Sequence, residues 1–402
     1  MKRIIFSMIF LAMISIEVMA QKFEHLAETP PMGWNSWGVF NYDINEQVVM
    51  EIADAMVTSG MQAAGYEYVV IDDCWAVGRD SVGNLIADPE KFPSGMKALA
   101  GYVHSKGLKL GIYSDGGTQT CQGRPGSRGY EFQDARTFAS WGIDYLKYDW
   151  CNSQDQNTKA SYRLMRDALY KAGRPIVFSI CEWGSTQPWL WAKDIGHLWR
   201  TGPDIKNCFS CELNWGAIGV MEALDRVAPL RRYSGPGHWN DPDYLQVGNK
   251  GLTLKESQAQ FGLWSMLPAP IMATNDLRNM SPEITELLTN NEVLAINKDT
   301  LFRPAIKYAD YGDLEIWLKP LANGDYALGI LNRGENKIMF DKSLQLVTYD
   351  LAIKPNSYTY RIDEHYKIRD LWKHKEIGTT KDNFKAEIES HELVLLRLHK
   401  TE

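Results

Sequence analysis

The stretch DYLKYDWC, residues 144–151, begins with apolar, β-prone residues and then places a lysine and an aspartate two positions apart. Side chains alternate along a strand, so Lys147 and Asp149 face the same side if this segment is a strand. An ammonium group beside a carboxylate lowers the pKa of the carboxyl and keeps it ionised, as a nucleophile requires. Such pairs at strand ends are also common as structural ion pairs, so this stretch alone leaves both interpretations open.

Short β-prone runs of this kind recur between residues 30 and 300. The eight runs cover residues 32–34, 66–72, 108–114, 145–149, 176–181, 198–200, 238–240 and 270–274. Eight β units with intervening helices predict a (β/α)8 TIM barrel, whose usual size of about 250 residues fits this span. The competing architecture is an open doubly wound sheet. It usually carries a glycine-rich phosphate-binding loop, and the sequence has no G-x-G-x-x-G motif.

The spacing of apolar residues predicts where the helices lie. Val48, Ile52, Ala55 and Met56 recur at i, i+4, i+7 and i+8, which predicts an amphipathic helix between the first two runs. The same kind of pattern covers residues 96–104, 132–141, 162–170 and 222–230.

Polar residues follow the carboxyl end of several predicted strands. The clusters are IDDCW at 71–75, IYSD at 112–115, KYD at 147–149, CEW at 181–183 and WR at 199–200. The carboxyl ends of the strands in a (β/α)8 barrel meet on one face, where active sites lie. Any single acid here could instead cap the following helix. Several acids together with a lysine, an arginine and tryptophans favour a polar pocket with aromatic walls.

The two ends of the chain differ from its middle. Beyond residue 300, short β runs alternate with turns and show no helical periodicity, which predicts an antiparallel β-sandwich over residues 303–402 after a barrel domain over 21–302. At the N-terminus, Lys2 and Arg3 precede an apolar run and a small-residue cleavage site ending at Ala20, so residues 1–20 are predicted to be a signal peptide. We therefore expect an exported protein without a membrane span, in the periplasm or otherwise secreted.

Composition and spacing exclude several classes of function. A net charge of −7 and the lack of a Lys/Arg-rich run argue against nucleic-acid binding. The histidines have no metal-ligand spacing, and the C-x-x-C sequence at 208–211 lacks a second pair, so no metal and no cofactor are expected. A carboxylate-rich pocket suits glycosidic cleavage, in which one carboxylate attacks the anomeric carbon and a second, protonated one supplies the leaving oxygen with a proton. The oligomeric state stays open.

Six motifs in order carry a resemblance to a known family. They are MGWNSW at 32–37, IDDCW at 71–75, GLKLGIY at 107–113, LKYD at 146–149, CEW at 181–183 and GHWNDPD at 237–243. The chain resembles glycoside hydrolase family 27, the α-galactosidase or melibiase family, over essentially its whole mature length. The resemblance implies a retaining enzyme with a (β/α)8 domain followed by a β-sandwich.

The resemblance also implies roles for individual residues. Asp149 matches the nucleophile, and Asp204, which closes WRTGPD at 199–204, matches the acid/base. From the residues alone, Asp241 or Asp243 would be nominated as readily; the resemblance makes Asp243 part of the site and Asp241 structural. The residues expected to bind substrate are Trp37, Asp72, Asp73, Tyr113, Cys121, Lys147, Cys151, Glu182, Trp183, Arg200 and Asp243.

The six cysteines are only partly assigned by the resemblance. Cys121 and Cys151 match a disulfide that closes the pocket edge in relatives. Cys74 and Cys181 lack the partners that some relatives have and are expected to be free. The state of Cys208 and Cys211 stays open.

Substrate preference within the family rests on two positions. A glutamate, here Glu182, accepts the 2-hydroxyl of galactose, whereas small residues make room for 2-acetamido sugars. Asp72 would bind the 6-hydroxyl, which β-L-arabinopyranosides lack. The expected substrate is therefore a galactose-containing oligosaccharide or polysaccharide. The alternatives are an α-N-acetylgalactosaminidase, a β-L-arabinopyranosidase and a non-catalytic carbohydrate-binding protein, and the last is disfavoured because both proposed catalytic aspartates are present.

Overall fold

The computed structural model describes residues 22–353, 357–363 and 365–401. The signal peptide predicted for residues 1–20 lies outside this part of the chain. Within it, no helix is both long and apolar enough to cross a membrane.

Eight parallel strands form the first domain, which confirms the predicted barrel. In chain order they are Met32–Asn35, Tyr68–Ile71, Lys109–Asp115, Tyr145–Asp149, Val177–Cys181, Leu198–Arg200, Trp239–Asp241 and Ile271–Ala273. The first seven strands pair in sequence order, and the eighth pairs with the first. Leu245 links the seventh strand to the eighth, because its N–H donates to the carbonyl of Met272 at 2.8 Å and its carbonyl accepts from the Thr274 hydroxyl at 2.8 Å.

Helices lie between most of these strands. The longer ones are Glu46–Thr58, Met96–Ser105, Glu131–Trp141, Thr158–Ala172, Val220–Val227 and Leu254–Met266, and the shorter ones are Trp37–Phe40, Met61–Ala64, Pro282–Leu288 and Asn291–Asn297. Short 3-10 helices cover Pro188–Leu190, Ala228–Tyr233 and Leu277–Asn279, and a small hairpin joins Ala76–Arg79 to Leu85–Ala87. The helix Glu46–Thr58 buries Val49, Ile52, Ala53 and Met56, so its predicted apolar face was shifted by part of a turn.

The helix Leu254–Met266 was missed by the periodicity argument. Ten of its residues are buried, from Glu256 to Met266 with one exception, so it has little polar face to mark an amphipathic pattern. Its burial has a clear cause: Gly262 lies against the side chains of Leu395 and Trp372, which belong to the C-terminal part of the chain. The helix is thus covered by the barrel on one side and by the second domain on the other.

The second domain is an antiparallel β-sandwich, as predicted. Its larger sheet has six strands, in the spatial order Ile306–Asp310, Leu314–Pro320, Tyr326–Asn332, Leu393–Lys400, Tyr366–Asp370 and Lys375–Thr379. Two further pairs are Ile338–Lys342 with Phe384–Ile388 and Leu346–Asp350 with Tyr358–Ile362. The sequence predicts β runs here at 314–318, 326–331, 338–340, 358–362, 388–389 and 393–398, and it misses the strands Ile306–Asp310, Leu346–Asp350, Tyr366–Asp370 and Lys375–Thr379. The residues of Lys375–Thr379 are all exposed and therefore show no alternation of apolar and polar positions.

Candidate active site

A cavity of about 450 Å³ lies at the carboxyl ends of the barrel strands. Its walls are formed by Trp37, Asp72, Asp73, Tyr113, Cys121, Gln122, Lys147, Asp149, Cys151, Trp183, Pro203, Asp204, Trp215, Gly216 and Ala217. All of the predicted site residues except Glu182, Arg200 and Asp243 lie on this wall. All eight strands run in the same direction, so their carboxyl ends lie at one end of the barrel. The site residues at or after those ends therefore lie close together.

Asp149 ends the fourth barrel strand and lies at the floor of the cavity, where only 5% of its surface is exposed. The Tyr113 hydroxyl donates to Asp149 Oδ2 at 2.9 Å, and the Trp150 N–H donates to Oδ1 at 3.0 Å. Burial raises the pKa of Asp149 to about 6, although Lys147 acts in the opposite direction. The low pKa predicted for this carboxyl is therefore wrong, because the cost of desolvation outweighs the nearby ammonium group.

Lys147 is paired with a different carboxylate from the one predicted. Its ammonium donates to Asp72 Oδ2 at 2.8 Å, and the Asn35 side-chain amide donates to the same oxygen at 2.7 Å. The second strand ends at Ile71, directly before Asp72, so this ion pair links the second and fourth strands at the barrel mouth. Burial lowers the pKa of Lys147, but Asp72 and other neighbouring groups outweigh it, so that the pKa lies above its usual range.

Asp73 forms the next part of the wall. Its Oδ1 accepts the Cys74 N–H at 2.6 Å, and its Oδ2 accepts the Gln122 N–H at 3.0 Å. Burial raises the pKa of Asp73 against these hydrogen bonds. Cys74 adopts a positive φ of 74°, which turns the chain sharply after the two aspartates.

Asp204 also lines the cavity, on the loop after the sixth strand. Its side chain is 34% exposed, and Arg200 Nη2 donates to its Oδ1 at 3.2 Å. Burial acts to raise the pKa of Asp204, but Arg200 and Lys147 outweigh it and lower the pKa. The charge of Asp204 raises the pKa of Asp149. The cavity therefore holds two interacting carboxyl groups, one buried at its floor and one open to solvent.

Arg200 and Asp243 lie behind the cavity wall instead of on it. Arg200 Nη2 is 3.0 Å from Asp243 Oδ2, and both side chains are at most 4% exposed. Asp243 has a positive φ of 89°, and its N–H donates to Asp241 Oδ1 at 2.8 Å. Asp243 thus holds Arg200, which in turn holds Asp204.

Glu182 is not among the residues that line the cavity. Its side chain is fully buried, and its Oε2 accepts from the Thr186 N–H at 2.7 Å and the Thr186 hydroxyl at 2.9 Å. The following residue, Trp183, has a positive φ of 56° and lines the cavity. The turn at Trp183 therefore directs the tryptophan into the cavity and the glutamate into the loop behind it.

Two disulfides lie in the first domain. Cys121 and Cys151 are bonded, as the resemblance implied, and both line the wall. Cys208 and Cys211 are also bonded, which the sequence had left open. Cys74 and Cys181 are buried free thiols.

Several residues near the site were not predicted. Asp115 is fully buried, and burial followed by the charge of Asp149 raises its pKa to about 9. The N–H groups of Gly117 and Cys151 donate to its carboxyl at 2.6 and 2.9 Å. Its place at a strand end, in IYSD, was a usable signal. Gln122 and Trp215 come from loops, and no local pattern marks such positions.

Four potential metal-ligand atoms lie within 4.8 Å of one another: a carboxylate oxygen each from Asp115 and Asp149, and the sulfurs of Cys121 and Cys151. The two sulfurs are joined to each other in the disulfide. They consequently offer no thiolate, which is the form of cysteine that binds metals.

Comparison with known proteins agrees with this geometry. Residues 29–299 match the family model described as alpha galactosidase A, and residues 311–398 match the alpha galactosidase C-terminal beta sandwich domain. The chain is 53% identical to alpha-galactosidase A of Cellvibrio japonicus over 391 residues, which is 96% of each protein.

Two solved structures show the same fold along nearly the whole chain. Alpha-galactosidase I of Mortierella vinacea has a TM-score of 0.86 at 35% identity, covering 94% of this chain and 98% of its own. The alpha-galactosidase of Saccharomyces cerevisiae, solved with raffinose, has a TM-score of 0.84 at 29% identity, with 94% and 98% covered. The motifs, the fold, the cavity and these matches together show that the chain belongs to the α-galactosidase family of glycoside hydrolases, family 27.

Proposed function

We propose that this protein is an exported α-galactosidase that removes terminal α-linked galactose from oligosaccharides or polysaccharides with retention of anomeric configuration. The observation that carries the proposal is the pair of interacting carboxyl groups, Asp149 at the floor of the cavity and Asp204 at its open side. Retaining glycosidases need two carboxyl groups that face one anomeric carbon. The names of the relatives support galactose as the sugar.

The surroundings of Asp149 and Asp204 indicate the catalytic role of each carboxyl group. The acid/base must reach the leaving oxygen and later a water molecule, both of which lie towards solvent, and Asp204 is the more exposed of the two. The nucleophile needs a fixed position beneath the sugar, and Asp149 is held by Tyr113 and its own following N–H. We therefore assign Asp149 as nucleophile and Asp204 as acid/base.

The reaction then proceeds in two displacements. An oxygen of Asp149 bonds to the anomeric carbon while the glycosidic bond breaks, and the leaving oxygen takes the proton of Asp204. Water next attacks the same carbon and gives a proton to Asp204, and the bond to Asp149 breaks. Galactose leaves with its original configuration, and both carboxyl groups return to their starting states.

The first step needs one proton on the pair, located on Asp204. In the free site the pKa directions favour the proton on Asp149, because Asp149 is more deeply buried and Asp204 lies beside Arg200. A bound sugar would cover the exposed side of Asp204, and loss of water raises the pKa of a carboxyl. Substrate binding therefore moves the shared proton towards Asp204.

The remaining wall suits a single pyranose. Asp72, Asp73 and Lys147 present charged hydrogen-bonding groups on one side, which we assign to the 4- and 6-hydroxyls. Trp37 offers an aromatic face, and Tyr113 lies beside the nucleophile. Since Glu182 is turned away from the cavity, we do not assign it the 2-hydroxyl.

The test is hydrolysis of an aryl α-galactoside by the wild type and by Asp149→Asn, with the first-formed sugar followed by NMR. Loss of a covalent nucleophile is expected to reduce kcat by about 10³-fold or more. Asp155→Asn makes the same change at an exposed position on the following loop and serves as control. An inactive wild type would refute the activity, and an inverted anomer would refute the retaining mechanism.

The 2-acetamido and arabinopyranoside analogues are measured beside it. Comparable kcat/KM values on either analogue would overturn the assignment to galactose. Export through the predicted leader is tested separately by fractionating the expressing cells, where activity confined to the cytoplasm would contradict it.

A further inference from the structure

A tryptophan at the mouth of the cavity has no structural explanation in the fold. Trp215 is 63% exposed, although tryptophan is usually among the more buried residues. It lines the cavity next to Asp204, together with Pro203, Gly216 and Ala217. An aromatic ring left open to solvent at the edge of a binding pocket is typical of a contact surface for a ligand.

The ring is presented by a small hairpin of defined geometry. Glu212 and Ile218 form an antiparallel bridge, and the Leu213 N–H donates to the Ala217 carbonyl at 2.8 Å. Gly216 closes the turn with a φ of 100°, a conformation that glycine adopts at no steric cost. Trp215 therefore lies at the tip of a closed turn.

The base of this hairpin is anchored on two sides. The Cys208–Cys211 disulfide precedes it, and the Cys211 N–H donates to Glu222 Oε2 at 3.0 Å at the start of a helix. The Ile218 N–H donates to the carbonyl of Asp204 at 3.0 Å. The position of the hairpin is thereby tied to the residue that we assign as acid/base.

Lys206 completes the arrangement. Its ammonium lies 5.2 Å from the centre of the Trp215 ring, within the range of a cation–π interaction. Lys206 follows Asp204 by two residues, so the same segment carries the acid/base and the cation that supports the ring.

We propose that Trp215, held by its hairpin and by Lys206, is the platform on which the sugar of the leaving group stacks. The acid/base protonates the oxygen that joins galactose to this sugar, so the leaving sugar must lie next to Asp204, where Trp215 is exposed. Pyranose rings have an apolar face of C–H groups that can cover an indole ring. The inference rests on the proposed function and adds a preference for galactosides whose leaving group is itself a sugar.

The kinetic test compares two substrates that differ only in the leaving group. Trp215→Ala is expected to reduce kcat/KM on melibiose or raffinose about tenfold or more, as expected for loss of a large aromatic contact. It should change kcat/KM on α-galactosyl fluoride less than about twofold, because fluoride cannot stack. Trp215→Phe keeps an aromatic face and should restore most of the loss.

Leu213→Ala is the matched control, because this residue is on the same hairpin, is partly exposed and does not line the cavity. It should leave kcat/KM on both substrates unchanged. Equal losses on both substrates with Trp215→Ala, or no loss on either, would overturn the proposal.

A binding measurement separates this inference from the proposed function. In the Asp149→Asn protein, raffinose should bind more tightly than galactose, and the added change Trp215→Ala should remove that advantage. If raffinose gains nothing over galactose with Trp215 present, the platform is refuted. A wild type that hydrolyses neither substrate would refute the proposed function alone, since the binding result still decides the role of Trp215.

Discussion

The ion pair between Lys147 and Asp72 allows a test of the site's electrostatics that does not depend on its chemistry. The side chain of Asp72 is 3% exposed and that of Lys147 is 14% exposed, so both charges are largely out of water. Lys147→Met keeps much of the apolar stem but leaves the Asp72 carboxylate without its cation. Removing one partner of a buried ion pair typically costs about 3–5 kcal/mol.

The structure places the expected loss at the lower end of that range. Asp72 still accepts from the Asn35 amide at 2.7 Å and from the Asp73 N–H at 2.9 Å. A loss of about 3 kcal/mol corresponds to a fall in Tm of roughly 6–12 °C for a domain of this size. Thermal unfolding at neutral pH, followed by circular dichroism, measures the shift.

The control is the double variant Asp72→Asn with Lys147→Met, in which the stranded charge is gone. We expect this double variant to be more stable than Lys147→Met alone by about 1–3 kcal/mol, because a neutral amide costs less to bury than an unpaired carboxylate. A double variant no more stable than the single one would refute the reasoning. In the single variant, the pKa of Asp149 should also rise, since Lys147 lowers it.

Three further outcomes are expected. The active form carries one proton on the Asp149 and Asp204 pair. We therefore expect kcat/KM to fall as the pH rises through about 6, the pKa of Asp149, and to fall again in acid below the lowered pKa of Asp204. Full activity above pH 8 would contradict this expectation. Replacing Cys121 and Cys151 by alanine opens a loop that the disulfide closes over a separation of 30 residues. The change should lower the free energy of unfolding by about 3–4 kcal/mol and raise KM. An unchanged Tm would contradict the stabilising role of this disulfide. In Gly117→Ala, the added Cβ would overlap the carbonyl oxygen of Cys151, so calorimetry should show a loss of roughly 1–3 kcal/mol, whereas a neutral result would mean that the loop moves freely.

Much of the fold was predictable from local pattern. Each of the eight barrel strands lies within two residues of its predicted run, because buried parallel strands are short apolar segments between helices. The helix Leu254–Met266 could not be found in this way. Its polar residues are buried, Gln260 against the barrel loop at Gln246 and Glu256 beside His391 of the second domain, and periodicity detects only a helix that has a solvent face.

The same distinction between local pattern and tertiary contacts applies to the active site. Local sequence is sufficient to predict which residues reach the cavity from strand ends, such as Asp72 and Asp149, since strand direction brings those ends together whatever the loops do. Which charges pair and which are desolvated depends on tertiary contacts. Lys147 pairs with Asp72 across the barrel, and Asp149 is buried deeply enough that its pKa rises. Loop conformation likewise turned Glu182 away from the cavity, because contact and burial depend on distances between segments that sequence spacing does not contain.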